Sequence, residues 1–221
     1  MTRILDFIFS LLAIFFLLPL LIPIMIILKF TGEGELFYSQ MRIGREQKEF
    51  ALLKFATMLR NSPSIGTGTI TVKDDPRILP VGRFLRKYKL NELPQLFNVL
   101  TGTMILIGPR PQAKRNFDFF PEEAKPVIAS VRPGLSGIGS IIFSDEENIL
   151  DQENSEDFYA DQIMPYKAEL ELFYVDQHGP KMYLQLIFST LSVLLTGKSY
   201  LDLMHPSLPK PPKALKKWIS L

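Results

Sequence analysis

The strongest constraint on this chain lies at its beginning, where nearly every residue from Ile4 to Leu28 is apolar and only Asp6, Ser10, Pro19 and Pro23 interrupt the run. As a helix, such a run covers roughly 30 Å of hydrocarbon, so the segment is predicted to sit in a membrane. It outlasts the apolar region of a signal peptide, and Lys29, Phe30 and Thr31 follow it where a small-residue cleavage site would stand. Proline lacks an N–H and crowds the turn before it, and lipid offers no partner to a freed carbonyl. A bend near Pro19 and Pro23 is therefore predicted. Two topologies stay open on the residues alone: a kinked but complete span, or a helix-break-helix hairpin that dips into one leaflet. Positive charge on both flanks, Arg3 before the block and Lys29, Arg42, Arg45 and Lys48 after it, favours the hairpin.

The 221 residues leave room for one compact domain beyond this segment. A formal charge of +2, with no long basic run interleaved with aromatics, argues against nucleic acid as a partner. There is no cysteine, and His178 and His205 are the only imidazoles, which excludes disulfides, thiolate nucleophiles and a structural zinc site.

Patterning divides the chain into a membrane segment over 1–30, a domain over 31–205 and a tail over 206–221. Short alternating runs at Leu36–Gln40 and Phe50–Phe55 predict a small sheet. The polar stretch Asn61–Thr71 predicts an exposed loop. Val81, Phe84, Leu85 and Tyr88 fall at helical spacing opposite Arg83, Arg86 and Lys87, predicting a basic amphipathic helix. A second helix is predicted from Asn91, with Asn91 as N-cap, Glu92 favoured by the helix dipole, Pro94 in the first turn, and Leu93, Leu96, Phe97 and Leu100 as its apolar stripe. Pro165–Asp176 and Met182–Leu195 also have helical spacing. The second is too short to cross a bilayer and is open to two readings, a core helix or one lying in the membrane interface. The Pro- and Lys-rich tail, ending near Trp218, predicts a flexible arm touching anionic headgroups. The acidic stretch Asp145-Glu146-Glu147 reads as solvated surface.

Chemistry-bearing residues concentrate between 74 and 134: Asp74-Asp75-Pro76-Arg77, Arg83, Arg86, Asn91-Glu92, Gly108-Pro109-Arg110-Pro111 and Val131-Arg132-Pro133-Gly134. Prolines on both sides of Arg110 hold its neighbours extended, so the guanidinium is presented with little entropy to lose, which suits bidentate phosphate binding. The bland alternative is an arginine that ties down a turn. Glu92, beside Arg86 and Lys89, stands where a carboxylate could hold Mg²⁺ against a diphosphate; dipole stabilisation alone would also explain it.

These residues resemble the bacterial sugar transferases, the monotopic polyprenyl-phosphate phosphoglycosyl transferases. The resemblance covers roughly residues 1 to 200. It rests on Arg3-Ile4-Leu5-Asp6-Phe7, Gln40-Met41-Arg42-Ile43-Gly44, Lys54-Phe55-Ala56-Thr57-Met58, Asp75-Pro76-Arg77 and Val81-Gly82-Arg83-Phe84-Leu85-Arg86-Lys87, and most densely on Leu90 to Leu100 with the Gly-Pro-Arg-Pro and Val-Arg-Pro-Gly stretches. It implies an α+β, mainly helical fold, with a re-entrant membrane helix broken at Pro19 or Pro23 and a cytoplasmic domain of helices around a small sheet. It implies a monotopic protein on the cytoplasmic face of a bacterial inner membrane, among membrane lipid. The implied activity is transfer of a sugar 1-phosphate from a UDP-sugar to undecaprenyl phosphate with release of UMP, the first step of exopolysaccharide, O-antigen or glycoprotein glycan assembly. Mg²⁺ and arginines would steady the phosphates, with Arg86, Arg110, Arg132 and Arg77 as the expected contacts, and a second copy or downstream glycosyltransferases as further partners.

The family's chemistry uses an Asp-Glu dyad at a helix start, and here the Asp position is Asn91, an amide that cannot form an acyl phosphate. Thr103 stands in Gly102-Thr103-Met104 where an Asp is common, Ala56 replaces an Arg, and Gly139-Ser140-Ile141-Ile142-Phe143 replaces an Asn-Gly-Arg stretch. Three readings of the dyad follow: Glu92, the expected Mg²⁺ ligand, acts as nucleophile; Asn91 orients substrates for direct transfer; or the protein is a catalytically inactive scaffold that binds the carrier lipid or a pathway enzyme. A single-span anchor carrying an ordinary binding domain is a further alternative.

Overall fold

The structure, a computed structural model, describes residues 2–65, 71, 75–146, 149–150 and 156–219. Most of the predicted 61–71 loop beyond Ile65, together with Asp74, Glu147 and much of the stretch up to Asn154, lies outside the described residues.

The apolar block forms one helix, α1 (Thr2–Phe30), which runs uninterrupted through Pro19 and Pro23. The predicted break is absent. Each proline removes a single bond to the carbonyl four residues back, and the four-residue spacing keeps both gaps on one face while the rest of the ladder persists. Both ends of α1 rest on the same globular body. At its start, the Arg3 guanidinium donates to the carbonyls of Val99 and Leu100, and the fully buried Asp6 carboxylate accepts from the Leu106 N–H at 3.1 Å and the Tyr183 hydroxyl at 2.9 Å. Towards its end, Leu21, Ile24 and Leu28 pack with Phe55 and Leu85. Its outer face exposes Ile4, Phe7, Ile8, Leu11, Phe15 and Phe16, an apolar surface far beyond what a water-facing helix carries.

Asp6 thus staples a membrane helix to its domain. Asp6→Ala leaves the Leu106 N–H and the Tyr183 hydroxyl without an acceptor, a loss of about 2–4 kcal/mol. Thermal unfolding in detergent should show it as a clear drop in melting temperature; a shift no larger than that of an exposed control such as Lys181→Ala would refute the staple.

The β1 (Phe37–Ile43) and β2 (Glu49–Phe55) strands form the predicted antiparallel hairpin, with Tyr38 opposite Lys54 and Arg42 opposite Phe50. Helix α2 (Pro80–Lys87) follows, as its spacing requires, and then α3 (Gln95–Thr101). Gly102 ends α3 at φ 86°, and the Arg3 guanidinium sits 3.0 Å from where a Cβ would stand. Glycine is needed there both for the left-handed backbone and for the arginine that caps the last carbonyls.

Strand β3 (Ile105–Ile107) pairs in parallel with β4 (Gly134–Ser136), and the short helices α4 (Lys114–Asp118) and α5 (Ala124–Ile128) lie between them. Helix α6 (Ile138–Ile142) follows in a stretch with no helical signal in the sequence. A π-helical segment at Tyr159–Ile163 leads into α7 (Met164–Gln177), then α8 (Pro180–Thr196) and α9 (Leu201–Met204) close the bundle.

The main core is built on Ile107, Phe117, Ile138, Ile163, Leu170 and Leu186. Helix α8 packs into the core on one face, with Met182, Tyr183, Leu186 and Ser189 buried, whereas Leu184, Phe188, Leu191 and Leu194 are exposed on the other. The tail is not a free arm. Leu208, Leu215 and Ile219 are buried in the main core, and the Tyr166 hydroxyl donates to the Pro209 carbonyl at 2.9 Å; apolar residues spaced among the prolines and lysines bind it down.

Candidate active site

Strand alternation puts Tyr38, Gln40 and Arg42 on one face of the hairpin, and Lys54, opposite Tyr38, joins them there. Gln40 Oε1 accepts from Arg42 Nη2 at 2.6 Å and Nε at 3.1 Å, fixing that guanidinium. Arg86 comes from the last turn of α2. Lys89 then takes a left-handed conformation at φ 55° and turns the chain into a 3-10 turn, Leu90–Glu92. This overturns the predicted N-cap at Asn91. The residue lies inside the turn, makes no capping bond, and its Oδ1 is buried without a partner. Glu92 accepts from Arg110 Nη2 at 2.8 Å and Nη1 at 3.5 Å, with Lys54 Nζ at 3.8 Å.

Arg110 is held by its loop from beneath. The Gly108 N–H donates to the Ser136 carbonyl (2.9 Å) and the Gly134 N–H to the Pro109 carbonyl (2.8 Å). A Cβ on Gly134 would stand 2.1 Å from Gly108 N, and one on Gly137 2.2 Å from Gly108 O, so only glycine permits this approach. The Arg110 N–H donates to Glu171 Oε1 at 3.2 Å, and the Tyr174 hydroxyl to the Ile107 carbonyl at 2.7 Å.

Two predicted phosphate contacts fall outside this site. Arg132 does not line the cavity; its Val-Arg-Pro-Gly stretch serves through the close backbone of Gly134. Arg77 does not line it either. Its Nε and Nη2 donate to Asp75, and Nη1 to the carbonyls of Ser62 and Ile65, all in the interior. It is the arginine that ties down a turn.

Glu92, Asn91, Arg86 and Arg110 do share one cavity of about 1280 Å³, together with Arg42 and Lys54, which sequence reasoning left unassigned. The same cavity continues to an apolar mouth lined by Phe9 and Ala13 of α1 and by Leu184, Leu191 and Leu194 of α8. Burial alone would raise the Glu92 pKa, but Arg110 and Lys54 outweigh it and hold the carboxyl well below the usual range. Glu92 in turn keeps Arg110 firmly protonated. Burial lowers Lys54 to about 7, with Arg42, Arg110 and Arg86 pushing the same way and Glu92 opposing. Burial, then Arg110, lowers Arg42 to about 10. Cations that depress one another in this way form a site short of negative charge, which a phosphate would relieve.

A pH prediction follows. Lys54 loses its proton near pH 7 in the empty site but near 10.5 when unfolded. Between those values the unfolded chain binds more protons, so this residue makes stability rise with pH. A bound polyanion raises the folded value, and binding must therefore take up a proton. Calorimetry of inorganic pyrophosphate binding at pH 8, in buffers of different ionisation enthalpy, should show this uptake and lose it in Lys54→Met; a buffer-independent enthalpy would refute it.

The cavity is thus lined by cations at one part and by apolar side chains of α1 and α8 at another. The family model for bacterial sugar transferases matches residues 1–197, and the chain belongs to that family. Among its relatives, the exopolysaccharide production protein ExoY of Sinorhizobium fredii is 35% identical over 150 residues, 62% of this chain and 66% of the relative. The UDP-N-acetylgalactosamine-undecaprenyl-phosphate N-acetylgalactosaminephosphotransferase of Aeromonas hydrophila is 29% identical over 194 residues, 87% of this chain and 43% of the relative. The undecaprenyl-phosphate galactose phosphotransferase of Salmonella typhimurium is 36% identical over 136 residues, 54% of this chain and 28% of the relative. The chain thus matches just under two thirds of the first and less than half of the other two.

Proposed function

We propose that this chain transfers a sugar 1-phosphate from a UDP-sugar to undecaprenyl phosphate, releasing UMP, at the cytoplasmic face of a bacterial inner membrane. The observation that carries this reading is the single cavity that joins Arg42, Lys54, Arg86 and Arg110 to the apolar residues of α1 and α8. A diphosphate needs the first end, and a lipid phosphate needs both. The activities for which the Aeromonas and Salmonella relatives are named agree with it. Helix α1, with both ends on one domain and an apolar outer face, supports insertion into one leaflet without crossing, and the exposed face of α8 supports contact with the same surface.

In this reading Arg110 and Lys54 neutralise the diphosphate as it displaces them from Glu92, while Arg42 and Arg86 receive the second phosphate. The freed Glu92 carboxylate, ionised throughout, attacks the β-phosphorus; the bond to UMP breaks, and an oxygen of undecaprenyl phosphate then displaces the carboxylate. No proton is gained or lost overall. Asn91 Oδ1, buried without a donor, and Glu92 are the oxygen donors that would hold Mg²⁺, an ion that binds through one or two protein oxygens and substrate phosphates. When bound, that ion offsets charge on the diphosphate.

Asn91 also supports a second reading, a membrane scaffold that binds these ligands without turning them over. Purified protein in detergent, given UDP-sugars, Mg²⁺ and undecaprenyl phosphate, decides between them. UMP release that needs the carrier establishes the transferase. Silence in the wild type, with activity gained in Asn91→Asp, establishes the scaffold.

A further inference from the structure

Beyond Arg110, on the side away from α1, the cavity ends in polar groups that the phosphate chemistry does not use. Glu146 pairs with the Lys167 ammonium, which is almost wholly buried. Asn116 Nδ2 donates to the Tyr159 hydroxyl at 3.2 Å. Ser140 Oγ is buried within the lining with no hydrogen-bond partner. These groups come from the π-helical segment, α7, α4 and α6, and all line the same cavity as Arg110. Arg110 feels both Glu146 and Tyr159 electrostatically, so the cluster neighbours the arginine that faces Glu92.

We propose that this end is the glycosyl subsite, and that it selects an uncharged hexose over a uronate. The inference rests on the transferase reading and names the residues that choose its sugar. A carboxylate, an amide, an ammonium and an unpaired hydroxyl match vicinal sugar hydroxyls, which both donate and accept. A nucleobase would need an open aromatic face, but the Lys167 ammonium covers the rings of Phe143 at 4.9 Å and Tyr159 at 5.6 Å. Lys167 is already neutralised by Glu146. A sugar carboxylate would therefore meet the Glu146 carboxylate and an ammonium that this carboxylate already neutralises.

The test is calorimetric binding of UDP, UDP-glucose, UDP-galactose, UDP-N-acetylglucosamine and UDP-glucuronate to the full chain in detergent. At least one uncharged sugar nucleotide should bind tighter than UDP, and UDP-glucuronate should bind more weakly than that sugar nucleotide. Ser140→Ala, which breaks no existing hydrogen bond, should weaken the preferred sugar nucleotide about five- to tenfold and leave UDP unchanged, and Glu146→Gln should weaken it by as much relative to UDP. Glu146→Gln should also narrow the gap to UDP-glucuronate. Equal losses for UDP would place the nucleotide here and overturn the proposal, as would a uronate that binds as tightly as the uncharged sugars, or variants that change nothing. If the wild type binds neither UDP nor any sugar nucleotide, the transferase reading itself fails.

Discussion

Glu92→Gln is expected to lower carrier-dependent UMP release at least about a hundredfold while leaving UDP bound as tightly as before, or tighter. The carboxylate sits 2.8 Å from Arg110 and 3.8 Å from Lys54, so in the proposed mechanism it holds the cations that a phosphate would engage. Removing its charge leaves three mutually repelling guanidinium groups, Arg42, Arg86 and Arg110, around an amide, with Lys54 free to take up a proton when a polyanion arrives. Their attraction for an incoming diphosphate grows because Glu92 no longer competes. The reacting carboxylate, however, is gone. Binding and turnover therefore move in opposite directions, a split that a merely misfolded variant would not give, since misfolding lowers both. A variant that keeps a tenth or more of wild-type turnover would remove Glu92 from the chemistry and leave direct transfer oriented by Asn91.

Much of this geometry was legible before any coordinates, and the exceptions have physical causes. Helices α2 and α8 follow from 3.6-residue spacing, and the β1–β2 hairpin from alternation, because in each case one face is buried against a core, whereas α7 falls where a helix is predicted over Pro165–Asp176 but is buried on most of its sides. Helices α4, α5 and α6 were not legible. Each is five residues long, too short for its own pattern, and exists because the core around Phe117, Ile128 and Ile138 encloses it. Asn91 followed by Glu92 reads as a helix start, but the left-handed backbone at Lys89 redirects the chain, and no propensity marks a lysine for that conformation.

The site was half legible. Asn91, Glu92, Arg86 and Arg110 stand together because the dense motif spans one turn and one loop. Lys54 left a signal that went unused: it is a lysine among apolar residues in β2, on the face it shares with Tyr38. Lys167, Glu171 and Tyr174 left none, since they form a polar stripe on a helix buried nearly all round, where the stripe cancels the apolar period. For Arg77, the hint was Asp75 two residues earlier.

That arginine supplies the second large effect, on stability and not on turnover. Arg77→Met is expected to destabilise the protein by about 3–5 kcal/mol, because it removes the guanidinium that faces the carboxylate of Asp75, 2% exposed, in the interior. Arg77 Nε and Nη2 reach the two Asp75 oxygens at 2.8 and 2.5 Å, and Nη1 reaches the carbonyls of Ser62 and Ile65 at 2.9 Å each. The pair welds the chain after β2 to the approach to α2, where Met58 bridges Ile78, and so fixes how α2 presents Arg86. Denaturant unfolding should register the loss, and Asp75→Asn combined with Arg77→Met should recover part of it, since a neutral amide is less costly to bury away from the guanidinium than a carboxylate. Turnover per folded molecule should stay within about threefold of wild type, because neither side chain lines the cavity. Normal stability with weakened UDP binding would reverse the assignment and return Arg77 to the phosphates.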